Sequence, residues 1–496
     1  MSTPDAQLLR GRRRPGGLGG RFRRIGSRWS WTAMVWLWLL YGMNANMRSW
    51  IQTVQPAIVE EFGVGPTTIG WFSGGLTILL GVAALPISAW SDKGGHGWER
   101  KFRHLPVVAV YLAFSVLTCV HALTVGLLAV FLLQAVKNLA SGGGEAIEVT
   151  AVAEWWPLER RGFAQGLHHT AFPWGTLIGG LGVAAVYSLV GSENWRVVWL
   201  TLPLLAIPIF ALYWRFATQE NYDRFVADTR ARGLTPPLGQ QSADVPAAPG
   251  AVGRALRNPN VVIPSLSAGL ANVGYMGLSF WLPLYLAFVA DYPLAQVAAL
   301  SVVFTVTGGI GQIVWGFVSD RFGRKYTLVF LFVWLAISFS LFRFVGSGLA
   351  ALIVIQLITG VAINGVYPVL YAITSDSSEP GSIAIGNGLN MAGMLVGGFG
   401  AIVMGQLIQL GGGYQEVRGF NLGLNFIAGV SLLTAVLILL IHPRDDRADV
   451  RPRPRARVAR AVPAGRAALT GTDEPLASPD GRRQRMRQNG CPAGSR

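Results

Sequence analysis

The sequence predicts an all-α membrane protein, with twelve transmembrane helices in two pseudo-symmetric six-helix bundles, and three observations carry that reading. Charged residues make up 13% of the chain and hydrophobic ones 51%, against roughly 25% charged in a soluble domain. The apolar residues fall in blocks of about twenty rather than in one-sided stripes, and about twenty residues of helix cross a hydrocarbon core. The pattern of the first half of the chain also returns in the second.

Taken in order, residues 1–30 are basic and Gly-rich with no cleavable signal peptide, so the first block reads as a retained signal anchor. The blocks span 31–55, 68–89, 105–123, 125–151, 163–189, 196–215, 261–287, 296–318, 326–344, 348–373, 384–409 and 420–441. They divide into an N-terminal bundle, 31–216, and a C-terminal bundle, 259–443. The polar, Pro-rich stretch 217–258 reads as a linker, and the Arg/Pro/Gly-rich stretch 444–496 as a disordered tail.

The net charge of +16 is explained by position. Eight arginines precede the first block and thirteen follow the twelfth, and the loops after the second, fourth, sixth and eighth blocks are basic. Opposite loops hold only Arg196, Arg343 and Arg418. The positive-inside rule then puts both termini in the cytoplasm of a multi-pass protein of the plasma membrane. The basic tails suit anionic lipid rather than nucleic acid. Cys119 and Cys491 are too few and too far apart for a disulfide framework, and the histidines lack zinc spacing. No catalytic motif or phosphate loop is present, so neither enzyme nor cofactor is expected, and a monomer is.

The repeat shows in "PISAWSDKGG" and "GQIVWGFVSDRFGRKYTL", which place Asp92 and Asp320 at the same end of the second helix of each half. Gly166 to Gly175 and Gly388 to Gly397 repeat a second spacing. The stretch "GFVSDRFGRKYTL" resembles the loop signature of the major facilitator superfamily. That resemblance implies alternating access around a central site, with Asp92, Asp320, Arg321 and Arg324 holding a cytoplasmic gate. The first copy departs from the signature at Ser88 and Lys93 and by the insertion "GGHGWERK". Topology alone is the other use of such loop charges.

Of all Lys and Arg, only Arg48 and Lys137 lie well inside the blocks, since Arg196, Arg215 and Arg343 stand at block ends. A cation near the bilayer centre costs at least about 2.5–3.5 kcal/mol, so both are expected to face a wet interior. Tyr41, Asn44, Arg48, Gln52 and Gln55 fall on one face of the first helix, and Gln134, Lys137, Ser141, Glu145 and Glu148 on one face of the fourth. Substrate binding is therefore expected from Arg48, Asn44, Tyr41, Gln52, Gln134 and Lys137, because a guanidinium holds a carboxylate in two parallel bonds. The other use of Arg48 is a permanent pair with Glu145 or Glu148 that only orients the bundle. From the second half, Asn272, Tyr275, Asn364, Tyr367 and Asn390, with Tyr371 and Asn387, are available to the ligand. Glu145 and Glu148 are the expected proton-coupling groups. His168 and His169 read as gate or interface residues, and Trp29, Trp31, Trp36 and Trp38 as an interfacial belt.

"RSWIQTVQPAIVEEFG" and "AVAEWWPLERRGFAQG" are similar to the anion:cation symporters and organophosphate transporters of the superfamily. The aspartate those families carry before the arginine is Met47 here, and their fourth-helix Arg and Glu fall on Gln134 and Ser141. The seventh block has no arginine, so with one arginine rather than a matched pair a monocarboxylate or small organic acid is expected over a phosphate ester, and Glu145 and Glu148 make proton symport the expected coupling. Two alternatives stay open, a proton-coupled exporter of drugs or metabolites and a non-transporting receptor or sensor.

Overall fold

The computed structural model describes residues 25–92, 96–237, 250–379 and 383–441. The two expected basic tails lie outside these, save for residues 25–30 of the first. All described helices belong to one unit, Met1–Arg444.

The first four crossings are single helices, α1 (Arg28–Phe62), α2 (Pro66–Asp92), α3 (Arg100–Cys119) and α4 (Leu127–Glu154). The fifth is α5 (Arg161–His169) followed by α6 (Ala171–Val190), and the sixth is α7 (Val198–Phe216). After α8 (Gln219–Ala231) and α9 (Ala251–Ala255), the seventh crossing is α10 (Pro259–Phe288). The eighth is α11 (Leu294–Leu300) with α12 (Phe304–Phe322), and the ninth is α13 (Arg324–Leu341). The tenth joins α14 (Leu349–Ile363) to α15 (Val366–Ser377), and the eleventh joins α16 (Ile383–Gly393) to α17 (Gly398–Leu410). The last is α18 (Val417–Leu439).

Among the described residues, eleven helices are long and apolar enough to cross a membrane. The twelfth crossing, α1, has 35 residues but is diluted by Asn44, Asn46, Arg48, Gln52 and Gln55. It starts where the Ser27 hydroxyl accepts from the Ser30 amide at 3.0 Å and stops at Gly63, whose φ of 60° a side chain would resist.

Sequence patterning treats crossings five and ten as continuous, but each is broken near its middle. Proline has no N–H for the carbonyl four residues back. Pro173 thereby releases the carbonyl of His169, and Pro368 that of Asn364, beside the breaks at Thr170 and at 364–365. Trp38 braces the first break, its indole N–H donating to the Thr170 hydroxyl at 3.0 Å. The described parts of the linker, 217–237 and 250–258, also carry helix and packing that their composition does not suggest. Thr218 caps α8 by accepting from the Asn221 amide at 3.3 Å, and Tyr222 and Phe225 pack on Trp155 with centroids 5.2 and 5.8 Å away.

The repeat extends to the charges that tie each half together. Lys101, near the start of α3, donates to the carbonyls of Trp214 and Ala217 at 3.3 and 2.5 Å, at the end of α7. Lys325, near the start of α13, donates to the carbonyls of Leu439 and Ile441, both at 2.7 Å, at the end of α18. In each case an ammonium meets the orphan carbonyls and negative dipole of a helix C-terminus. The neighbouring arginines pair with carboxylates at the ends of α4 and α15, Arg100 with Glu154 and Arg324 with Asp376.

The expected gate is changed by these contacts. Arg324 lies 3.5 Å from Asp320 and pairs with Asp376, so the bonds described for it run within the second half. Arg321 is exposed. The side chain of Asp92 lies outside the described residues. Sequence reading passed over Arg100 and Glu154, which the insertion "GGHGWERK" shifts out of register with the signature.

The two halves meet closely at the end of the bundle where α1 finishes and α2 begins, with α2 lying along α17. A Cβ at Gly398 would fall 2.6 Å from the Gly74 carbonyl, and one at Gly405 would fall 2.6 Å from that of Pro66. Only hydrogen at these positions lets the backbones approach. At the same end Arg196 clamps three segments, donating to both Glu61 oxygens at 2.7 and 2.6 Å and to the Thr124 hydroxyl at 2.6 Å. The Arg196 hydrogen bonds hold the Glu61 carboxyl below its ordinary range.

Two outcomes follow for the purified protein. Arg196→Gln lowers the thermal midpoint at neutral pH, and the difference from wild type shrinks in acid, because a depressed carboxylate contributes stability above its unfolded value of about 4.3 and loses it as pH falls further. Gly405→Leu overpacks the seam and lowers the midpoint at every pH, at a cost of about 1–3 kcal/mol. Thermal melts across pH check both.

Candidate functional site

The polar face of α1 and the glycine-softened middle of α4 meet at a cavity between the two halves. It offers about 1410 Å³ of space, its mouth included. From α1 come Tyr41, Arg48 and Gln52, and from α4 Asn138, Gly142 and Glu145. The second half contributes Asn272 and Tyr275 from α10, Asn364 at the break of the tenth crossing, and Tyr367 and Tyr371 from α15.

Arg48 reaches the cavity wall and, of the two carboxylates the sequence offers it as partners, meets Glu145. Its Nη2 donates to Glu145 Oε2 at 2.7 Å and its Nε to the Ser141 hydroxyl at 3.1 Å. The Tyr41 hydroxyl donates to the other Glu145 oxygen at 2.8 Å. These side chains are largely buried, Arg48 14% and Glu145 12% exposed. In a low-dielectric wall such a pair is strong, and removing one partner strands the other.

Several expected ligand contacts are bundle contacts instead. Asn44 is buried, donates to the Ser141 carbonyl at 3.0 Å and accepts from its hydroxyl, so it fixes α1 against α4. Gln134 is fully buried and donates to the Thr118 hydroxyl at 3.0 Å, within the α3–α4 packing. Lys137 is fully buried, its ammonium 4.2 Å from the Trp199 ring centroid and 3.4 Å from the Met47 carbonyl it donates to. Glu148 is fully buried, 3.1 Å from Nε2 of the equally enclosed His104, at pairing distance without hydrogen-bond alignment. Asn390 accepts from Ser265 at 2.9 Å and donates to Thr374 at 3.1 Å, joining α16 to α10 and α15. The side chain of Asn387 lies outside the described residues.

Helix geometry explains the division on α4. At about 100° per residue, Asn138, Gly142 and Glu145 lie along one edge of the polar stripe. Lys137 and Glu148 lie about 60–100° around it, turned toward α3 and α7. A stripe read from spacing alone does not say which of its edges meets the cavity.

His169, Gln312, Thr176 and Asn138 line the cavity without having been singled out for binding. His168, beside the first of these, is buried and stacks on Tyr41 at 4.7 Å, an interface role. A signal for His169 was present in the chain. Gln52, His169 and Asn364 all face the cavity and all stand four residues before a proline, at Pro56, Pro173 and Pro368. A released backbone carbonyl in a membrane is tolerated where it borders a polar interior. No group of three His, Cys, Asp or Glu among the described residues is placed to hold a metal ion.

Comparison with known proteins fits this architecture. The Major Facilitator Superfamily pattern matches residues 37–303 and 291–478. The chain is 24% identical over 429 residues to a probable sulfoacetate transporter, SauU, of Cupriavidus necator, covering 83% of this chain and 95% of that one. It is 25% identical over 340 residues to the glucose-6-phosphate exchanger SLC37A2 of Mus musculus, covering 62% of this chain and 66% of the relative. Among solved structures, a bacterial homolog of the human lysosomal transporter Spinster, inward-facing and occupied, superposes with a TM-score of 0.62 at 15% identity, over 82% of this chain and 95% of that one. Twelve crossings in two repeated halves, a cavity where those halves meet and a family pattern covering most of the sequence lead to one conclusion: the chain belongs to the Major Facilitator Superfamily and is a multi-pass membrane protein, a secondary transporter of small molecules.

Proposed function

We propose that the protein carries a small organic anion, a carboxylate, across the cytoplasmic membrane by alternating access in symport with a proton, as a monomer with both termini in the cytoplasm. The observation that carries this is the Arg48–Glu145 pair in the cavity wall. An arriving carboxylate competes with Glu145 for the guanidinium and can take it in two parallel bonds. Glu145, displaced into a medium of low dielectric, is tolerable only once protonated, because an unpaired buried charge costs several kcal/mol. Solute and proton are then bound together and leave together, and Glu145 closes again on Arg48. Tyr41 follows the carboxyl as donor or acceptor, and the amides and tyrosines of the second half supply neutral hydrogen bonds to the rest of the solute.

The relatives named for sulfoacetate and for glucose 6-phosphate support an anionic solute. A single arginine on the cavity wall supports a carboxylate over a phosphate ester. The seam of α2 and α17 lies at the outer end on this sidedness, so the cavity faces the cytoplasm. On the same side, Trp29 sits between the guanidiniums of Arg28 and Arg224, 4.3 and 5.8 Å from its ring centroid, an arrangement suited to anionic lipid. The pair itself also favours a second reading. Glu145 reaches the cavity as fully as Arg48 does, and a cationic solute in a proton-coupled exporter would bind the carboxylate instead.

A panel of carboxylates and organic cations, tested by thermal stabilisation of the purified protein, separates the two. Carboxylates stabilise the wild type, and Arg48→Gln weakens them about 10–100-fold, the worth of charge-assisted bonds of about 1.5–3 kcal/mol. Stabilisation by cations that survives Arg48→Gln favours the exporter. In oriented vesicles, substrate-driven alkalinisation of the side of entry is the expected sign of symport. Glu145→Gln retains solute binding and exchange but abolishes the proton movement, and proton uptake unchanged in that variant excludes Glu145 as the carrier.

A further inference from the structure

In the described lining of the cavity, tyrosines aside, three side chains can carry charge near neutrality: Arg48, Glu145 and His169. The first two cancel. His169 Nδ1 lies 2.8 Å from the Gln165 carbonyl, and a carbonyl only accepts, so Nδ1 carries the hydrogen and Nε2 is the nitrogen left to take a proton or a ligand. On α1 the imidazole faces Tyr41, 5.9 Å away between ring centroids, with Arg48 beyond it. On α4 the titratable group of the same cavity lining is Glu145. On its own helix it meets His168 at 5.8 Å. Arg48 and His169 therefore flank the same Tyr41–Glu145 contact.

Resting on the anion-carrier reading above, we infer that His169 is the second anchor of the site. As an imidazolium it pairs with the second acidic group of a dicarboxylate, and as a neutral imidazole it leaves the cavity suited to monocarboxylates only. The charge balance requires this. With Glu145 protonated, Arg48 neutralises one carboxylate, and a second buried carboxylate needs another cation. Lys137 cannot supply it, since its ammonium is enclosed against Trp199 and Met47. His169 is a specificity-determining residue, and the choice between one and two negative charges on the solute follows its protonation.

The probes are fumarate and crotonate, which share a skeleton and differ by one carboxylate. Their affinities are measured by thermal stabilisation and direct titration of the full chain between about pH 6 and about pH 8, the range in which an imidazole changes charge. Glu145→Gln serves as background, so that no other cavity acid titrates. The fumarate-to-crotonate affinity ratio falls about tenfold with rising pH, and in Glu145→Gln with His169→Asn it is low and flat. Asn keeps a donor for the Gln165 carbonyl and carries no charge. A ratio that does not change with pH in the parent, or changes equally in the Asn variant, overturns the inference and leaves the anion carrier standing. Failure of either anion to bind the parent overturns the anion-carrier reading and this inference with it.

Discussion

One ion pair in a low-dielectric wall governs how the rest of the molecule is built. Arg48 and Glu145 are each costly where they stand, and each is tolerable because the other is there. Around them the fold supplies what an exposed pair does not need: a serine on the guanidinium, a tyrosine on the carboxylate, and an asparagine that pins one helix to the other. The glycines of "SGGGEA" let α2 and α4 close on each other, and a Cβ at Gly143 would run into Ile87. On the anion-carrier reading, the pair is fixed as long as nothing enters the cavity and becomes the weakest feature of the wall once a competing anion does.

That constraint also arranges charges elsewhere. Outside the cavity, described ion pairs and lysine caps stay within one half or involve the linker, as Arg196 with Glu61, Lys325 with the end of α18 and Arg254 with Glu379 do. Between the halves, the described contacts are backbone approaches along α2 and α17, apolar and aromatic packing such as Phe172 on Tyr275 at 6.0 Å, and long hydrogen bonds such as Thr67 to Gln406 at 3.5 Å. Charged, directional contacts hold each bundle together, and the contacts that join the bundles are mostly uncharged packing with a few long hydrogen bonds. This division of labour suits two bodies that move against each other.

Much of this could be read in the chain. The need for a wet surface beside Arg48 follows from the energetics of a membrane cation alone, and the two halves follow from the repeated Asp92 and Asp320 stretches. What could not be read has physical causes. Lys137 and Glu148 share a stripe with Glu145 but lie on its other edge, and rotation of a helix about its axis leaves no trace in spacing. Asn390 offers the same groups to a neighbouring helix as to a solute. Arg100 and Glu154 were hidden because an insertion displaced the first signature while the charges kept their places in space. His169 was legible only through Pro173, as a residue whose own carbonyl is released.

The glycine seam between α2 and α17 has one further effect. Residues without rotamers lose no side-chain freedom when they are pressed together, so the glycine positions of this seam add nothing to its ordering cost, which falls on the neighbours Ile78 and Ile402. On the alternating-access reading, the two backbones come back to the same fit with few side chains to reorder.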